Sequence, residues 1–330
     1  MDPNARPIDI HRKIVELIDA GRSLAVATVL SVQGSTPQQL GAKAAIDAAG
    51  HIWGTVGGGP VEAETQRTAV EACQSQRPGV FAFHLDNDDA ARAGSICGGS
   101  MRILVDPTVA RHRSCYAAAA DAIQRRRRGV LHTTIGKGDP PQVSVEWLPQ
   151  EAGDVAARTG PESSTEVFVE PIIPRPLLLI AGGGHVGQAL AVQAVQIGFD
   201  VTVLDDRPEF ADAALFPPGV EVRCGSVPEE IGRHPLDDDT YVVLVTRGHR
   251  HDAEALAACL HRRPAYIGMI GSRRKVALIR RSFLEGRLAT EEEFDRVFAP
   301  IGVSIGAVTV PEIAVSIAAQ LIAVRRKALQ

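Results

Sequence analysis

The spacing of apolar residues along this chain predicts an α/β protein with two different halves. In the C-terminal half, short apolar runs such as 177–180 alternate with segments of helical spacing such as 186–198. Strands separated by helices in this way pair in parallel through right-handed crossovers. In the N-terminal half, a helix at 9–20 with Ile10, Ile14 and Leu17 on one face precedes a strand-rich region. We therefore predict a C-terminal Rossmann-like parallel sheet domain and an N-terminal α/β domain with a mixed sheet.

The same patterns assign individual elements and the domain boundaries. In the N-terminal half we predict helices at 9–20, 61–74 and 109–128 and strands at 24–32, 43–47, 51–56, 80–85, 101–106, 130–135 and 142–148. In the C-terminal half we predict strands at 177–180, 201–204, 220–223, 241–245 and 266–270 and helices at 186–198, 252–262, 273–286, 290–297 and 311–327. Residues 149–164 lack periodicity and are rich in Pro, Gly and Ser. This predicts domains at 1–150 and 176–330, joined by a linker or long loop at 151–175 that includes a strand at 166–169.

Composition and charge exclude several classes of protein. Hydrophobic residues make up 45% of the chain, and the net charge of -4 gives no reason to expect a nucleic-acid partner. No apolar run reaches the roughly 20 residues needed to cross a bilayer, so we expect no membrane partner. The five cysteines are widely spaced and form no C-x-x-C pair. Disulfides and a structural metal site are therefore not expected, and a reducing cytoplasm is the simplest location.

A glycine motif after the first strand of the C-terminal half predicts a nucleotide-binding site. The motif reads Gly182-Gly183-Gly184-His185-Val186-Gly187 and opens a helix. In the dinucleotide fingerprint, the first glycine permits a tight turn, the second admits a pyrophosphate and the third allows close helix–strand packing. The N-terminus of the helix then offers free N–H groups to the phosphates. The ligand can be any dinucleotide that has a pyrophosphate.

The residues that end the next strand extend this prediction. Asp205 and Asp206 follow the glycines by about 20 residues, as the fingerprint requires. Asp205 is placed to accept a hydrogen bond from a ribose hydroxyl. Arg207 sits where it could instead pair with a 2′-phosphate, so the sequence leaves NAD and NADP both open.

Two further polar segments follow predicted strands of the same half. Thr246 and Arg247 precede His249, His251 and Asp252. These three side chains could form a metal site or an acid/base pair, or Asp252 could simply cap a helix beside solvated histidines.

The second segment leads into a helix whose first turn holds three cations. It contains Gly271, Ser272, Arg273 and Arg274, followed by Lys275. Cations oppose the dipole at a helix N-terminus, so the segment is either an anion site or a solvated basic face.

The N-terminal half contains two candidate motifs of its own. Gly57, Gly58 and Gly59 open a helix, and Glu62 lies in its first turn. Glu62 is either a functional carboxylate or a partner for the helix dipole. Cys97, followed by two glycines, is the cysteine that we assign to function, although a free cysteine is also often a small buried side chain.

Taken together, these motifs resemble the XdhC/CoxI family of xanthine dehydrogenase accessory proteins. In the N-terminal half the resemblance rests on Gly34-Ser35-Thr36-Pro37, Gly41-Ala42-Lys43, Gly54-Thr55-Val56-Gly57-Gly58-Gly59 with Glu62, and Cys97-Gly98-Gly99. In the C-terminal half it rests on Gly182–Gly187, Asp205-Asp206-Arg207, Thr246-Arg247-Gly248-His249 with Asp252, Gly268–Lys275, and Ala299-Pro300-Ile301-Gly302. Many members of the family have a cysteine where this chain has Pro60, which leaves Cys97 as the motif cysteine here.

The resemblance implies an XdhC-type N-terminal domain and a role in the maturation of molybdenum enzymes. Members of the family resemble chaperones that bind molybdopterin, the molybdenum cofactor, support its sulfuration and deliver it to a xanthine dehydrogenase-like molybdoenzyme. A cysteine desulfurase is a further expected partner, and we expect a homodimer. Cys97, Glu62 and His249 are the residues we assign to chemistry.

Two other functions remain open at this point. The chain could be an NAD(P)-dependent oxidoreductase that acts on a small molecule in an interdomain cleft, or a module that senses a nucleotide. A dehydrogenase would bind nicotinamide stoichiometrically, whereas a cofactor chaperone would copurify with a pterin. The sequence alone does not identify a client enzyme or a substrate.

Overall fold

The computed structural model describes residues 8–84, 99–150, 158–162 and 165–327. The chain divides into two compact units, with the boundary between Pro174 and Arg175. We call Ile8–Pro174 the N-terminal unit and the part from Arg175 onwards the C-terminal unit.

The first sheet of the N-terminal unit is antiparallel throughout its described pairings. Its strands are β1 (Leu24–Gly34), β2 (Lys43–Asp47), β3 (Ile52–Gly54), β4 (Gly79–His84) and β5 (Gly99–Asp106), in the order β3-β2-β1-β5-β4. Helix α1 (Ile10–Asp19) precedes the sheet, and α2 (Gly59–Ser75) follows β3. Helix α2 buries Val61, Thr65 and Ala72, which are separated by multiples of about one helical turn and therefore share a face.

A second sheet completes the N-terminal unit and corrects the expected linker. A 3₁₀ turn at Val109–His112 leads into α3 (Arg113–Gln124), and the strands are β6 (Arg128–Gly136), β7 (Val143–Gln150), β8 (Arg158–Glu162) and β9 (Thr165–Ile172). The order is β7-β6-β9-β8, again with antiparallel neighbours. Much of 151–175 is therefore paired sheet rather than linker, because β9 buries Val167 and Phe168 while bonding to β6.

The C-terminal unit alternates strands and helices, as its sequence predicts. Its elements are β10 (Leu177–Ala181), α4 (His185–Gln196), β11 (Asp200–Asp205), β12 (Glu221–Cys224), α5 (Val227–Arg233), β13 (Thr240–Leu244), α6 (His249–Cys259), β14 (Tyr266–Met269), α7 (Arg273–Glu285), α8 (Glu291–Asp295), β15 (Val297–Phe298) and α9 (Val310–Lys327). The six strands are parallel in the order β12-β11-β10-β13-β14-β15. This is the strand order of a Rossmann fold, so the predicted fold class is confirmed.

Both faces of the parallel sheet are buried, which explains the continuous apolar strands. On β10, Leu177 and Leu179 join one core cluster, while Leu178 and Ile180 join another. The first cluster packs against α5, α6 and α7, and the second packs against α4 and α9. Successive residues of a strand point to opposite faces, so a strand covered on both sides must be apolar at every position.

Several element boundaries differ from those predicted. The helix expected at 109–128 is a 3₁₀ turn followed by α3, and the helix expected at 290–297 is the short α8 followed by β15. Helix α6 begins at His249 rather than near 252, while α5 and β8 are not evident from the sequence pattern. Among the described helices, none is both long and apolar enough to span a bilayer.

Candidate functional site

The candidate site lies at the carboxyl edge of the parallel sheet, within the C-terminal unit. Strand order reverses between β10 and β13, and ligands of open α/β sheets bind at this switch point. The loops that follow β10, β11, β12 and β13 line a cavity of about 410 Å³ here. Its lining residues are Gly182, Asp205, Asp206, Arg207, Gly225, Ser226, Val227, Pro228, Thr246, Arg247, His251 and Glu254.

The glycine motif folds into the turn between β10 and α4. Gly182 has a φ of +118°, and a Cβ there would collide with the carbonyl oxygen of Val245 on the neighbouring loop. A Cβ on Gly187 would collide with the carbonyl oxygen of Gly182, so α4 can approach the sheet only with glycine at this position.

Gly184 has a different environment from the other motif glycines. Apart from its chain neighbours, no residue has an atom within 4 Å of the position that its Cβ would occupy. Gly184 is also the N-cap of α4 and provides no side chain to bond the N–H groups of the first turn, which includes His185 and Val186. An uncapped helix start beside open space favours an anionic ligand.

Asp205 at the end of β11 is bonded entirely within the protein. Its Oδ1 accepts hydrogen bonds from the backbone N–H of Arg207 at 3.0 Å and from Arg207 Nε at 2.9 Å. Its Oδ2 accepts from the N–H of Gly183 at 2.8 Å and from Arg207 Nη2 at 2.9 Å. Burial opposes ionisation, but the hydrogen bonds from Arg207 and Gly183 outweigh it and lower the pKa of Asp205. Asp205 thus holds the glycine loop against the loop after β11.

Arg207 is fixed on two sides. Its guanidinium pairs with Asp205, and the ring of Phe210 lies 3.9 Å from the guanidinium carbon. A Cβ on Gly183 would collide with the carbonyl oxygen of Phe210, so the loop after β11 packs closely on the glycine turn. This packing explains a third glycine of the motif.

Asp206 and Arg247 form an ion pair at the edge of the cavity. Arg247 Nη2 donates to Asp206 Oδ2 at 2.9 Å. The Asp206 side chain is 39% exposed and the Arg247 side chain is 47% exposed, so both remain accessible to a ligand. The pair joins the loop after β11 to the loop after β13.

Asp252 anchors the loop after β13 rather than capping a helix. Gly248 is the N-cap of α6, and Asp252 lies fully buried in the first turn. Its Oδ1 accepts from the N–H and Oγ1 of Thr246 at 3.1 and 2.6 Å, and its Oδ2 pairs with Lys275 of α7. Asp252 therefore fixes Thr246 at the cavity and links the β13 and β14 loops.

The histidines of the same segment differ in position. His251 lines the cavity, whereas His249 is exposed on the first turn of α6 and is not part of the lining. Within the described residues, no group of three His, Cys, Asp or Glu side chains is arranged to hold a metal ion.

The basic segment at the start of α7 lies outside the cavity lining. Ser272 caps the helix by accepting a hydrogen bond from the N–H of Lys275 at 3.3 Å. Arg273 and Arg274 are exposed, and among the described residues neither forms an ion pair. Gly271 packs against the Lys275 side chain.

In the N-terminal unit, three motif loops converge beside the first sheet. A Cβ on Gly57 would lie 2.6 Å from Pro37 Cγ, and one on Gly99 would lie 2.6 Å from the carbonyl oxygens of Gln33 and Ser35. Apart from chain neighbours and the adjoining backbone of α2, no atom lies within 4 Å of the Cβ positions of Gly58 and Gly59. Packing therefore fixes the loop at Gly57, whereas the backbone at Gly58 and Gly59 is unobstructed.

Glu62 supports this glycine loop from the first turn of α2. Its Oε2 accepts a hydrogen bond from Thr55 Oγ1 at 2.6 Å, and Thr55 Oγ1 accepts one from the N–H of Gly57 at 3.0 Å. This chain of bonds gives Glu62 a positioning role.

The predicted functional cysteine, Cys97, lies outside the described residues. Of the described cysteines, Cys73 and Cys259 are buried, Cys115 is half-buried and Cys224 is exposed. Burial raises the pKa of Cys73, and it raises the pKa of Cys259 to about 12. These two thiols are therefore unsuited to nucleophilic chemistry.

The structure adds cavity residues that the sequence motifs did not indicate. These are the Gly225–Pro228 turn after β12 and Glu254 on α6. The available signal was positional: residues 225–228 follow a predicted strand, and all loops at the carboxyl ends of parallel strands share one edge.

Comparison with known proteins gives matches in both units. The family model described as "XdhC Rossmann domain" matches residues 178–321, and the model described as "XdhC and CoxI family" matches residues 17–84. A crystal structure of a xanthine dehydrogenase from Bacillus halodurans has the same fold, with a TM-score of 0.78, 23% identity and 96% of each chain covered.

Three curated relatives match nearly the whole chain. The molybdenum cofactor insertion chaperone PaoD of Escherichia coli is 26% identical over 96% of this chain and 89% of its own length. A probable xanthine dehydrogenase subunit of Bacillus subtilis is 22% identical, with 97% of this chain and 98% of the relative covered. YqeB of Escherichia coli, an uncharacterized protein, is 28% identical over 97% of this chain, which spans only 47% of YqeB. With its motifs, its fold and matches in both units, the chain belongs to the XdhC and CoxI family.

Proposed function

We propose that this chain binds molybdenum cofactor as cargo, supports its sulfuration and aids its insertion into a xanthine dehydrogenase-like molybdoenzyme. Two relatives that match nearly the whole chain support the proposal through their names, a molybdenum cofactor insertion chaperone and a probable xanthine dehydrogenase subunit. The proposal includes a homodimer, which light scattering of the purified protein would detect.

The observation that carries the proposal is the cavity at the carboxyl edge of the parallel sheet. The uncapped start of α4 beside Gly184 suits a phosphate, and Asp206 and Arg247 at the cavity edge suit a sugar and an anion. A pterin cofactor that has a phosphate or a nucleotide tail presents these groups. The C-terminal unit would hold this tail.

The sulfuration step is assigned to the N-terminal unit on sequence grounds. Cys97 belongs to the Cys97-Gly98-Gly99 motif, and a cysteine desulfurase is the expected sulfur donor. The open Gly58-Gly59 backbone, held by Glu62, would contact the cargo. Cys97→Ser should leave cofactor binding intact and impair sulfuration, which can be measured as activation of the client enzyme.

Direct measurement of bound pterin tests the cargo. The purified protein should release a pterin that becomes fluorescent after acid oxidation, and it should take up more on incubation with cofactor. It should then activate a cofactor-free molybdenum hydroxylase. Absence of pterin before and after incubation would contradict the proposal.

The same cavity supports a second candidate function, an NAD(P)-dependent oxidoreductase. The Rossmann strand order and the glycine turn followed by an acidic pair favour it. A dehydrogenase should bind nicotinamide dinucleotide stoichiometrically and show a substrate-dependent change in nicotinamide absorbance. Screening small substrates for this change distinguishes the two functions.

A further inference from the structure

We propose that the C-terminal cavity selects nucleotides whose ribose has a free 2′-hydroxyl, with Asp206 as the ribose acceptor and Asp205–Arg207 as a fixed clamp. The inference rests on the proposed function only in taking the cavity as a nucleotide site. Asp206 rather than Asp205 then binds the ribose, and nucleotides with a 2′-phosphate are disfavoured.

The first step is that Asp205 has no acceptor capacity left for a ribose. Its two oxygens receive four hydrogen bonds, three from Arg207 and one from Gly183. An ionised carboxylate offers about four lone-pair positions, so all are used. Asp205 is also only 2% exposed. A ribose could bind Asp205 only after the clamp on the glycine turn opened.

The second step is that Arg207 cannot turn towards a 2′-phosphate without breaking its pair with Asp205. Its Nε and Nη2 both bond to Asp205, in the two-pronged geometry that makes arginine–carboxylate pairs strong. The Phe210 ring covers the guanidinium as a cation–π contact. Turning Arg207 towards a phosphate would leave the Asp205 carboxylate buried without its charge partner.

The third step is that Asp206 retains an accessible acceptor inside the cavity. Its Oδ2 pairs with Arg247, whereas Oδ1 has only a distant contact of 3.9 Å with Arg207 Nε among the described residues. A hydroxyl can donate to this oxygen. A 2′-phosphate in the same place would lie beside the carboxylates of Asp206 and Asp205, and like charges at that range repel.

Binding of NAD and NADP to the full chain tests the selectivity, because the two ligands differ only in the 2′-phosphate. By calorimetric titration the unmodified protein should prefer NAD by about tenfold, the effect of one charge repulsion that is largely screened by solvent. Asp206→Asn should reduce that preference to about threefold or less, because it removes the repulsion and frees Arg247 for the phosphate.

A matched control and a second variant separate the roles of the residues. Glu209→Gln makes the same carboxylate-to-amide change on an exposed residue of the same loop, outside the cavity lining, and should keep the full preference. Arg207→Lys keeps the positive charge but loses the two-pronged pair, so it should weaken both ligands equally and lower the melting temperature. Selective loss of NADP binding in Arg207→Lys would overturn the clamp assignment.

The outcomes also separate this inference from the proposed function. Equal affinity of the unmodified protein for NAD and NADP would overturn the selectivity while leaving a nucleotide site in place. Failure to bind either ligand would overturn both the inference and the nucleotide-site argument, and the pterin measurement would then decide the cargo independently. If NAD displaces a copurified pterin, the two ligands compete for the cavity, as a pterin with a nucleotide tail would. If NAD binds without displacing it, the pterin does not occupy the nucleotide site.

Discussion

Two buried aspartates determine the shape of the candidate site at the level of single residues. Asp205 joins the loops after β10 and β11, and Asp252 joins the loops after β13 and β14. Both carboxylates are enclosed, and every hydrogen-bond partner comes from a loop or helix start at the same sheet edge. Asp205 and Asp252, which the sequence suggests as candidate site residues, thus also hold in place the loops that form the cavity.

The clamp at Asp205 should contribute measurably to stability. Asp205→Asn keeps the side-chain shape but loses the charge that pairs with Arg207, which should lower the free energy of unfolding by about 1–3 kcal/mol near neutral pH. Because the folded-state pKa of Asp205 lies below its usual value, this contribution is present above about pH 4 and is lost as the pH falls through the folded pKa. Denaturant unfolding followed by circular dichroism at several pH values measures it.

Its sequence neighbour provides the control for this measurement. Asp206→Asn removes an exposed ion pair and should change stability by less than about 1 kcal/mol. Equal losses in the two variants would show that Asp205 is not a structural clamp.

The packing of the glycine turn leads to a second prediction at the level of single residues. Gly187→Ala places a Cβ against the carbonyl oxygen of Gly182, so α4 must move away from the sheet. We expect a loss of about 1–3 kcal/mol, typical of overpacking. Gly184→Ala adds a Cβ into open space and should cost much less stability, but it should weaken ligand binding. Calorimetric melting and nucleotide titration of both variants separate packing from binding.

At the level of elements, helices α6 and α7 are joined by the Asp252–Lys275 ion pair. Lys275→Met leaves the Asp252 carboxylate fully buried without a positive partner, and breaking a buried pair in this way costs about 3–5 kcal/mol. The double variant Asp252→Asn with Lys275→Met should recover part of that loss, because no uncompensated charge remains. A double-mutant cycle by denaturant unfolding measures the coupling.

A second ion pair on α7 gives a matched comparison. Arg280 pairs with Asp295, and their side chains are 36% and 61% exposed, respectively. Arg280→Met should therefore cost no more than about 1 kcal/mol. Similar losses for Arg280→Met and Lys275→Met would show that burial of the Asp252 pair is unimportant.

The elements were largely predictable because their signals are local. Apolar runs predicted β10, β11 and β13. The glycine motif with Asp205 and Asp206 predicted a site at the sheet edge where the cavity lies. Strand β8 was not predicted because its sequence, Arg-Thr-Gly-Pro-Glu, lacks apolar alternation and contains a proline. Helix α5 was missed because seven residues are too short for a periodic signal.

The partners of the site residues were less predictable because they depend on tertiary packing. The sequence left Asp252 as either a helix cap or part of a site with His249 and His251, but Gly248 is the N-cap and Asp252 points inward to Thr246. The commitment of Asp205 to Arg207 likewise depends on how residues 207–210 fold back on the glycine turn. The spacing of residues along the sequence does not predict these tertiary contacts.

At the level of the whole molecule, a buried charge network connects separate elements of the N-terminal unit. Glu170 on β9 pairs with Lys43 on β2 at 2.9 Å and with His11 on α1 at 3.2 Å. His11 also faces Asp9 at 3.7 Å and stacks on Tyr116. The network therefore joins one helix to both sheets of this unit.

Two pKa shifts give this network opposite pH dependences. Burial opposes ionisation of Glu170, but Lys43 and His11 outweigh it and lower its pKa to about 2. Its stabilisation is therefore present above about pH 4.5 and is lost as the pH falls towards 2. Burial disfavours the charged form of His11, but Glu170 and Asp9 outweigh it and raise its pKa. That stabilisation is present below about pH 6.5 and is lost as the pH rises through the folded pKa.

Tryptophan fluorescence can report this unit selectively, because both tryptophans, Trp53 and Trp147, lie in the N-terminal unit. The free energy of unfolding measured by this signal should be highest between about pH 4.5 and 6.5 and should fall on both sides. Glu170→Gln should cost about 3–5 kcal/mol within that window, because it leaves Lys43 without its buried partner, and it should flatten both limbs.

Two further variants assign the limbs of the profile to individual groups. His11→Gln should remove the alkaline limb alone, because Glu170 keeps its ion pair with Lys43 and still resists protonation down to low pH. Glu146→Gln makes the same change as Glu170→Gln on an exposed residue of β7 and should leave the profile unchanged. An alkaline limb that persists in His11→Gln would mean that a group outside the network sets it, since burial raises the pKa of Tyr116 and moves its titration to much higher pH.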